Sequence, residues 1–509
     1  MKDILKKIRD LKLGRYSIWV IILLAMATRF TGLMKRDFWY DEAFTGVAVK
    51  ENFHDMIFMI INDVHPPLYY LTLKVFASFF NYSVYGIRLF SAIFGVLSVW
   101  MLYILAKELF NVKVARYAAL VATISPFAVQ YSQEARMYAM LVFFILTAAY
   151  FFAKGLRTGN IAHYVFWGLF TGLSMLTHYM GIIFSSLYYI VFVVWGMVAA
   201  NESTVSLWRE KTKKIFAEVI PSKQLLAGYG VAFFVFLPWL KIFIHHVSAK
   251  GSNLSWVKLA SFGDIIIVIQ MFLFGTPLGE MSSGMPQPNE LHNIAHISIR
   301  MVLAVLLGAG TLYLMRKERK EKFFSVLLLS IGFMFVIYLL SVTLPDQQYF
   351  VARYMLAGAF FIFIFAGLWL SHLRIWVNLL IFGVYLFLLS LTIPLTNSQG
   401  YNEMVLHMDK YKNNNLYILN AFDYVITKYY IGANRLTLYN YNWPQYNPSY
   451  WAAIGPSLSR TEDYEDLRND PNALIISNKV LNKDNQYFST EGLELVDQYK
   501  NILIYKFEK

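Results

Sequence analysis

The chain contains no cysteine. That absence excludes disulfides, thiolate zinc sites, iron–sulfur clusters and a cysteine nucleophile. Charge is scarce as well. Only 15% of the 509 residues are Asp, Glu, Lys or Arg, whereas 57% are hydrophobic, and the mean hydropathy is +0.46. A soluble domain carries a much larger charged share. No glycine-rich phosphate loop stands between a strand and a helix, and no HExxH is present. Carboxylates within the apolar runs are few, which counts against an ion-coupled transporter.

What is abundant is apolar sequence in runs of about 20 residues, each long enough to cross a hydrocarbon core of about 30 Å. The runs lie at 16–34, 87–106, 114–132, 135–153, 161–177, 179–199, 225–243, 297–315, 323–344, 353–371 and 375–394. They describe an α-helical polytopic membrane protein with about eleven transmembrane helices. The basic start, "MKDILKKIRDLKLGR", leads into a long apolar run without a small-residue cleavage pattern, so 16–34 reads as a span and not as a signal peptide. "PPLYYLTLKVFASFF" (66–80) is short and carries Lys74, so it reads as an interfacial or re-entrant helix.

The formal charge of +13 belongs to the membrane reading and not to nucleic-acid binding. With this set of spans, the basic groups at 107–116, 154–157, 208–214 and 316–322 fall on the same side as the N-terminus, which marks that side as cytoplasmic. Residues 35–86, 131–139, 177–181, 244–296, 345–354 and everything after about 395 are then expected outside. These outer segments hold no Asp-x-Asp for binding a nucleotide diphosphate through a metal. The tail, 396–509, is polar and rich in Asn and Tyr. Short strands are expected at 416–420, 436–441, 473–478 and 502–507, with helices at 421–432 and 461–470. The expected organisation is a transmembrane catalytic domain over 1–395, with juxtamembrane helices in its outer loop 35–86, and a small extracytoplasmic α/β domain over 396–509.

Several outer residues could carry chemistry. In "KRDFWYDEAFTGVAVKEN" (35–52), Asp41 either caps a helix, with Glu42 favoured by the helix dipole, or accepts a proton from a substrate hydroxyl. In "DVHPPLYYL", Pro66 and Pro67 suit a helix's first turn, so His65 is either at an N-terminus suited to anions or a solvated histidine in an ordinary turn. In "QEARMYA", Glu134 agrees with the dipole at the start of the 135–153 span, whereas Arg136 opposes it. Arg136 wants an anion, either Glu134 or a bound phosphate. His178 with Tyr179, and Arg353 with Tyr354, lie at the same outer level, where aromatic and basic residues also serve as anchors.

The order "YDEAF", "HPPLYYLTLKVF", "YGIRLFSAIFGVLSVWMLYILAKELF", "ISPFAVQYSQEARMYAML", "LTHYMG" and "VARYMLAG" resembles the bacterial family 39-type glycosyltransferases of the GT-C superfamily. It is similar to protein O-mannosyltransferases and to the lipid A aminoarabinose transferase. The resemblance covers roughly residues 15–395. It implies Asp41 as base with Glu42 beside it, and His65, Glu134, Arg136, His178, Tyr179, Arg353 and Tyr354 around the donor phosphate and lipid. It also implies a polyprenyl-phosphate sugar donor, undecaprenyl in most bacteria, with a lipid, glycan or protein acceptor at the outer face of the cytoplasmic membrane. The expected reaction is an inverting transfer with no required cofactor. A divalent metal is compatible but not demanded. Where the aminoarabinose enzymes carry an arginine two positions after the acidic pair, this chain has Phe44. The competing readings are a flippase or exporter of lipid-linked sugars, and a polymerase or ligase of surface glycans.

Overall fold

The computed structural model describes residues 13–201, 222–248, 261–274, 308–310, 313, 320–344, 349–392, 400–419, 421–439, 460–461, 464–478 and 492–507. The chain divides into two compact units. One comprises Met1–Thr31 with Ser91–Ile393, the other Gly32–Phe90 with Pro394–Lys509. The loop after the first apolar helix thus clusters with the tail, whereas the sequence pattern assigned it to the transmembrane domain.

The first unit is helical. Among the described residues, five helices are long and apolar enough to cross a membrane, and a bent pair makes a sixth if counted as one span. The expected span at 297–315 lies almost wholly outside the described residues. The expected span at 114–132 is broken into Val112–Ile124 and Pro126–Gln133, bent by 61°. Pro126 has no amide hydrogen to give the carbonyl of Ala122, four residues back. Ser125 caps the second piece, accepting from the Ala128 N–H at 3.3 Å. Arg29, wholly buried, donates to the released carbonyls of Ala122 and Thr123 at 2.9 and 3.2 Å. A cation at the C-terminal end of a helix also answers its dipole.

In the second unit, the 66–80 stretch forms an 11-residue helix, Leu68–Ser78. At 1.5 Å per residue it is about 16 Å long, too short to span. Lys74 Nζ on this helix donates to the carbonyls of Val49 and Glu51, tying it to the end of the Tyr40–Lys50 helix.

The tail forms a six-stranded sheet: β1 (Asn415–Ile418), β2 (Leu436–Tyr439), β3 (Arg460–Thr461), β4 (Ala473–Ser477), β5 (Leu493–Tyr499) and β6 (Ile502–Phe507), in the order β3-β2-β1-β4-β6-β5. The first four are mutually parallel and β6 and β5 are antiparallel additions. β1 and β4 read as unbroken apolar runs because parallel strands are covered on both faces. One face carries a cluster of Tyr417, Tyr439, Leu467, Ile475, Leu503 and Tyr505. The helices fall at Ala421–Ile431 and Tyr464–Asn469, within the expected stretches.

Within this unit the Ala421–Ile431 helix packs on the Tyr40–Lys50 helix. The Asp37 carboxylate, 7% exposed, accepts three backbone N–H groups, from Gly400 at 2.8 Å and from Tyr401 and Asn402 at 3.1 Å. Gly400 has φ +108°, and a Cβ there would lie 2.0 Å from the Tyr499 carbonyl oxygen, so only glycine fits. The Phe38 N–H donates to the Tyr430 hydroxyl at 2.9 Å. Burial raises the Tyr430 phenol above its ordinary pKa, which keeps that hydroxyl protonated. Lys50 Nζ donates to the Tyr429 carbonyl at 2.8 Å, and Lys428 pairs with Glu51 at 3.0 Å.

The two helices approach at Gly46, where a Cβ would stand 2.5 Å from the Tyr429 ring. Gly46→Ala should therefore destabilise the protein by about 1–3 kcal/mol, the usual cost of overpacking. Thermal unfolding in detergent measures this, and the loss should shrink in a Tyr429→Ala background. An equal loss in both backgrounds would mean that the ring does not set the spacing.

Candidate active site

The Tyr40–Lys50 helix has Trp39 as its N-cap residue, and Asp41 and Glu42 fall in its first turn. Asp41 is therefore not the cap. Its side chain is part-exposed, and its carbonyl accepts from the Thr45 hydroxyl at 3.0 Å. Glu42, the next residue, is 1% exposed. Arg88 grips it with both ends of its fork, Nε to Oε1 at 2.7 Å and a terminal nitrogen to Oε2 at 2.6 Å. The remaining N–H groups of Arg88 donate to the carbonyls of Leu33, Arg36 and Asp37 at 2.7–3.0 Å. All five guanidinium donors are engaged, which is the full inventory of that side chain. Glu42 is thus a paired charge holding the turn, and not a bare anion beside Asp41.

His65 is 7% exposed, and its Nδ1 lies 2.8 Å from Asp63 Oδ2. The Tyr70 hydroxyl donates to the same oxygen at 3.4 Å. A carboxylate at Nδ1 orients the ring and fixes its tautomer. The double proline does not form the first turn: Pro67 is the N-cap and the helix begins at Leu68. Phe44 is 5% exposed, and its ring meets that of Tyr70 edge-on with centroids 6.4 Å apart. Phe44, two positions after the acidic pair, is therefore held in an apolar contact.

In the helical unit, Glu134 and Arg136 are 4% and 3% exposed. They do not open the spanning helix, which starts at Tyr138 with Met137 as N-cap. They lie in the bend after Gln133, where the Arg136 N–H donates to the Glu134 carbonyl at 2.8 Å. The Ser91 hydroxyl donates to the Arg136 carbonyl at 3.1 Å. Arg136 thus stands one residue before the N-cap of that helix and not in its first turn. Tyr138, His178 and Tyr354 form one ring cluster, with His178 and Tyr354 centroids 5.0 Å apart and Tyr138 6.1 and 6.3 Å from each. The Arg353 guanidinium lies 5.7 Å from the Tyr354 ring centre. The Met180 N–H donates to His178 Nδ1 at 3.2 Å, so the neutral ring carries its proton on Nε2. Tyr179 turns elsewhere. Its hydroxyl lies 2.7 Å from His246 Nδ1 and accepts from the Trp239 indole N–H at 3.0 Å.

The structure thus joins His178, Arg353 and Tyr354, and separately His65 with Asp63, while Tyr179 belongs to a different cluster. An apolar hollow of about 460 Å³ in the helical unit is lined by residues including Ile190, Val194, Phe324, Leu328 and Phe335. Among the described residues no group of three or more His, Asp or Glu side chains is placed to hold a metal ion. Arg88, Asp37, Asp63 and Tyr138 were not singled out in the sequence. Arg88 had a readable signal, a cation near the start of a long apolar helix, which calls for an anionic partner.

Residues 64–242 match the family described as dolichyl-phosphate-mannose-protein mannosyltransferase. Two proteins of Bacillus subtilis strain 168 that carry the name mannosyltransferase are similar to this chain. YkcB is 27% identical over 154 residues, covering 28% of this chain and 21% of its own length. YycA is 26% identical over 228 residues, covering 42% and 31%. The chain thus matches less than a third of the length of either. Among solved structures, ArnT from Cupriavidus metallidurans bound to undecaprenyl phosphate aligns over 96% of this chain and 97% of its own, with TM-score 0.63 and 13% identity. This chain shares its fold with ArnT. The Archaeoglobus fulgidus oligosaccharyltransferase aligns over 83% of this chain and 64% of its own, with TM-score 0.51 and 15% identity. The apolar helices of the first unit are those of a multi-pass membrane protein.

Removing one partner of the buried Glu42–Arg88 pair should cost about 3–5 kcal/mol. Arg88→Gln and Glu42→Gln should each lower the thermal midpoint measured in detergent. The double variant Glu42→Gln with Arg88→Met should recover little, since three backbone carbonyls would still lack their donors. Full recovery in the double variant would show that the carbonyl bonds contribute nothing.

Proposed function

We propose that the protein is an inverting glycosyltransferase that moves a sugar from a polyprenyl-phosphate donor to an acceptor hydroxyl at the outer face of the cytoplasmic membrane. The observation that carries this reading is Asp41. It is the part-exposed member of an acidic pair whose other member is locked to Arg88, on a chain with the fold of an undecaprenyl-phosphate-binding ArnT over nearly its whole length.

In the proposed step, the acceptor oxygen attacks the anomeric carbon as the bond from that carbon to the phosphate oxygen breaks. The acceptor proton passes to the Asp41 carboxylate, and the leaving group is the polyprenyl phosphate. One displacement inverts the anomeric centre. A positioned base contributes about 10²–10⁴-fold. Negative charge grows on the phosphate, and fixed cations stabilise it. His65, Arg136 and Arg353 are assigned that role, with His178 and Tyr354 supporting Arg353. Arginine suits a phosphate through its planar fork of donors. A polyprenyl chain is apolar throughout, and the hollow beside Leu328 and Phe335 has a lining of matching chemistry.

Asp41→Asn keeps the shape of the side chain and removes the base. It should lower transfer by at least about a hundredfold while donor binding and thermal stability stay near those of the unmodified protein. The measurement is release of undecaprenyl phosphate from undecaprenyl-phosphate sugars. Activity above roughly a tenth of the original would exclude the base role. The orientation has its own test, made clean by the absence of native cysteine. A cysteine at Asn413 should react with an impermeant thiol reagent in intact cells, and one at Thr158 should react only after permeabilisation. The opposite pattern would place Asp41 on the cytoplasmic side.

A further inference from the structure

The sheet of the second unit offers groups that the transfer step leaves unused. Its parallel order, β3-β2-β1-β4, reverses direction between β1 and β4. In open α/β sheets, ligands bind outside the carboxyl ends of the strands at such a reversal. Here β1 leads into the Ala421–Ile431 helix and β4 ends at Ser477. Asn478 Nδ2 donates to Asp423 Oδ1 at 2.7 Å, and the Tyr401 hydroxyl donates to the same oxygen at 3.4 Å. Asp423 is 1% exposed. These bonds anchor the first turn of the helix and set the position of Phe422 next to it.

Phe422 is 40% exposed. Its ring meets Tyr40 edge-on, with centroids 4.6 Å apart and planes at 65°. Tyr40 directly precedes Asp41 in the first turn of its helix. A large aromatic ring is thus presented to solvent against the residue that precedes the proposed base.

We propose that Phe422 and Tyr40 form the acceptor subsite, and that the acceptor is a glycan that lays the C–H face of a pyranose ring on Phe422. The face of an aromatic ring is negative, and the C–H groups of a sugar ring are weakly positive and apolar, so the two surfaces match. The hydroxyls of such a ring project from its edge, where one can reach Asp41. A serine or threonine side chain offers no flat C–H face of this size. The subsite accounts for an exposed phenylalanine ring that packs on Tyr40 and whose neighbour Asp423 is held by buried hydrogen bonds. This proposal rests on the transfer reading, and its test separates the two.

The protein would be supplied with a panel of undecaprenyl-phosphate sugars and with methyl pyranosides, a serine-containing peptide, or no acceptor. Undecaprenyl phosphate release and product formation would be followed. Pyranosides should be glycosylated and should accelerate release. Phe422→Ala should raise the acceptor KM about tenfold, near the upper end of what one aromatic contact contributes, with kcat and donor KM unchanged. Phe422→Tyr should restore the original value. Phe422→Leu keeps the apolar volume without the ring face and should behave as the alanine variant does. An unchanged acceptor KM in Phe422→Leu, or glycosylation of the peptide but not of pyranosides, would overturn the proposal and leave the transfer reading standing. No release with any donor and acceptor would overturn both.

Discussion

The bidentate pair between Arg88 and Glu42 is the constraint on which the arrangement around Asp41 depends. Both side chains are 1% exposed, and a buried charge without its partner is strongly unfavourable. Arg88 meets that cost through five bonds, two to Glu42 and three to the backbone at Leu33, Arg36 and Asp37. Its guanidinium also lies 4.9 Å from the centre of the Phe38 ring. The turn before the Tyr40–Lys50 helix and the first turn of that helix therefore hang on one side chain. Asp41 lies between these fixed points, so the backbone presents its carboxylate in one direction. Asp37 extends the same lock to the tail through three amide N–H groups. Held this way, Asp41 in the proposed role of base would need little reorganisation when a substrate arrives.

Not every buried cation in an apolar chain has a ligand as its partner. Arg29 is fully buried in the helical unit, yet its partners are carbonyls released by Pro126 and a threonine hydroxyl. Its role follows from the broken helix. Gln133 acts alongside it, donating to the carbonyls of Thr28, Arg29 and Thr31 at the end of the first helix. Arg136 and Arg353 differ in setting. Arg136 lies in the bend between two helices, and Arg353 in a 3-10 turn beside a cluster of aromatic rings and His178.

The fold class was legible because long apolar runs and their flanking charges are local features of sequence. The tail's β1, β2, β4 and β6 and its two helices were readable for the same reason. β5 was not, because "LELVDQY" alternates acids with apolar residues and its partner is set by a hairpin with β6. The break at Ser125–Pro126 was read through, since hydropathy alone does not register a missing amide hydrogen. Glu42 and His65 stood out by residue type, but their partners Arg88 and Asp63 did not. A pair 46 residues apart, such as Glu42 with Arg88, is fixed by tertiary packing, which no local pattern encodes. The same limit explains Tyr179. Adjacent to His178 in sequence, it faces a different set of neighbours because the chain turns into a new helix at Met180.

The central claim is a single displacement at the anomeric carbon with Asp41 as base. The most direct measurement is the anomeric configuration of the product, read by NMR, against that of an undecaprenyl-phosphate sugar of known configuration. One displacement predicts inversion, with undecaprenyl phosphate released in equal amount to the new glycosidic bond. Retention of configuration would mean two displacements or attack from the face of the leaving group, and either would contradict the account.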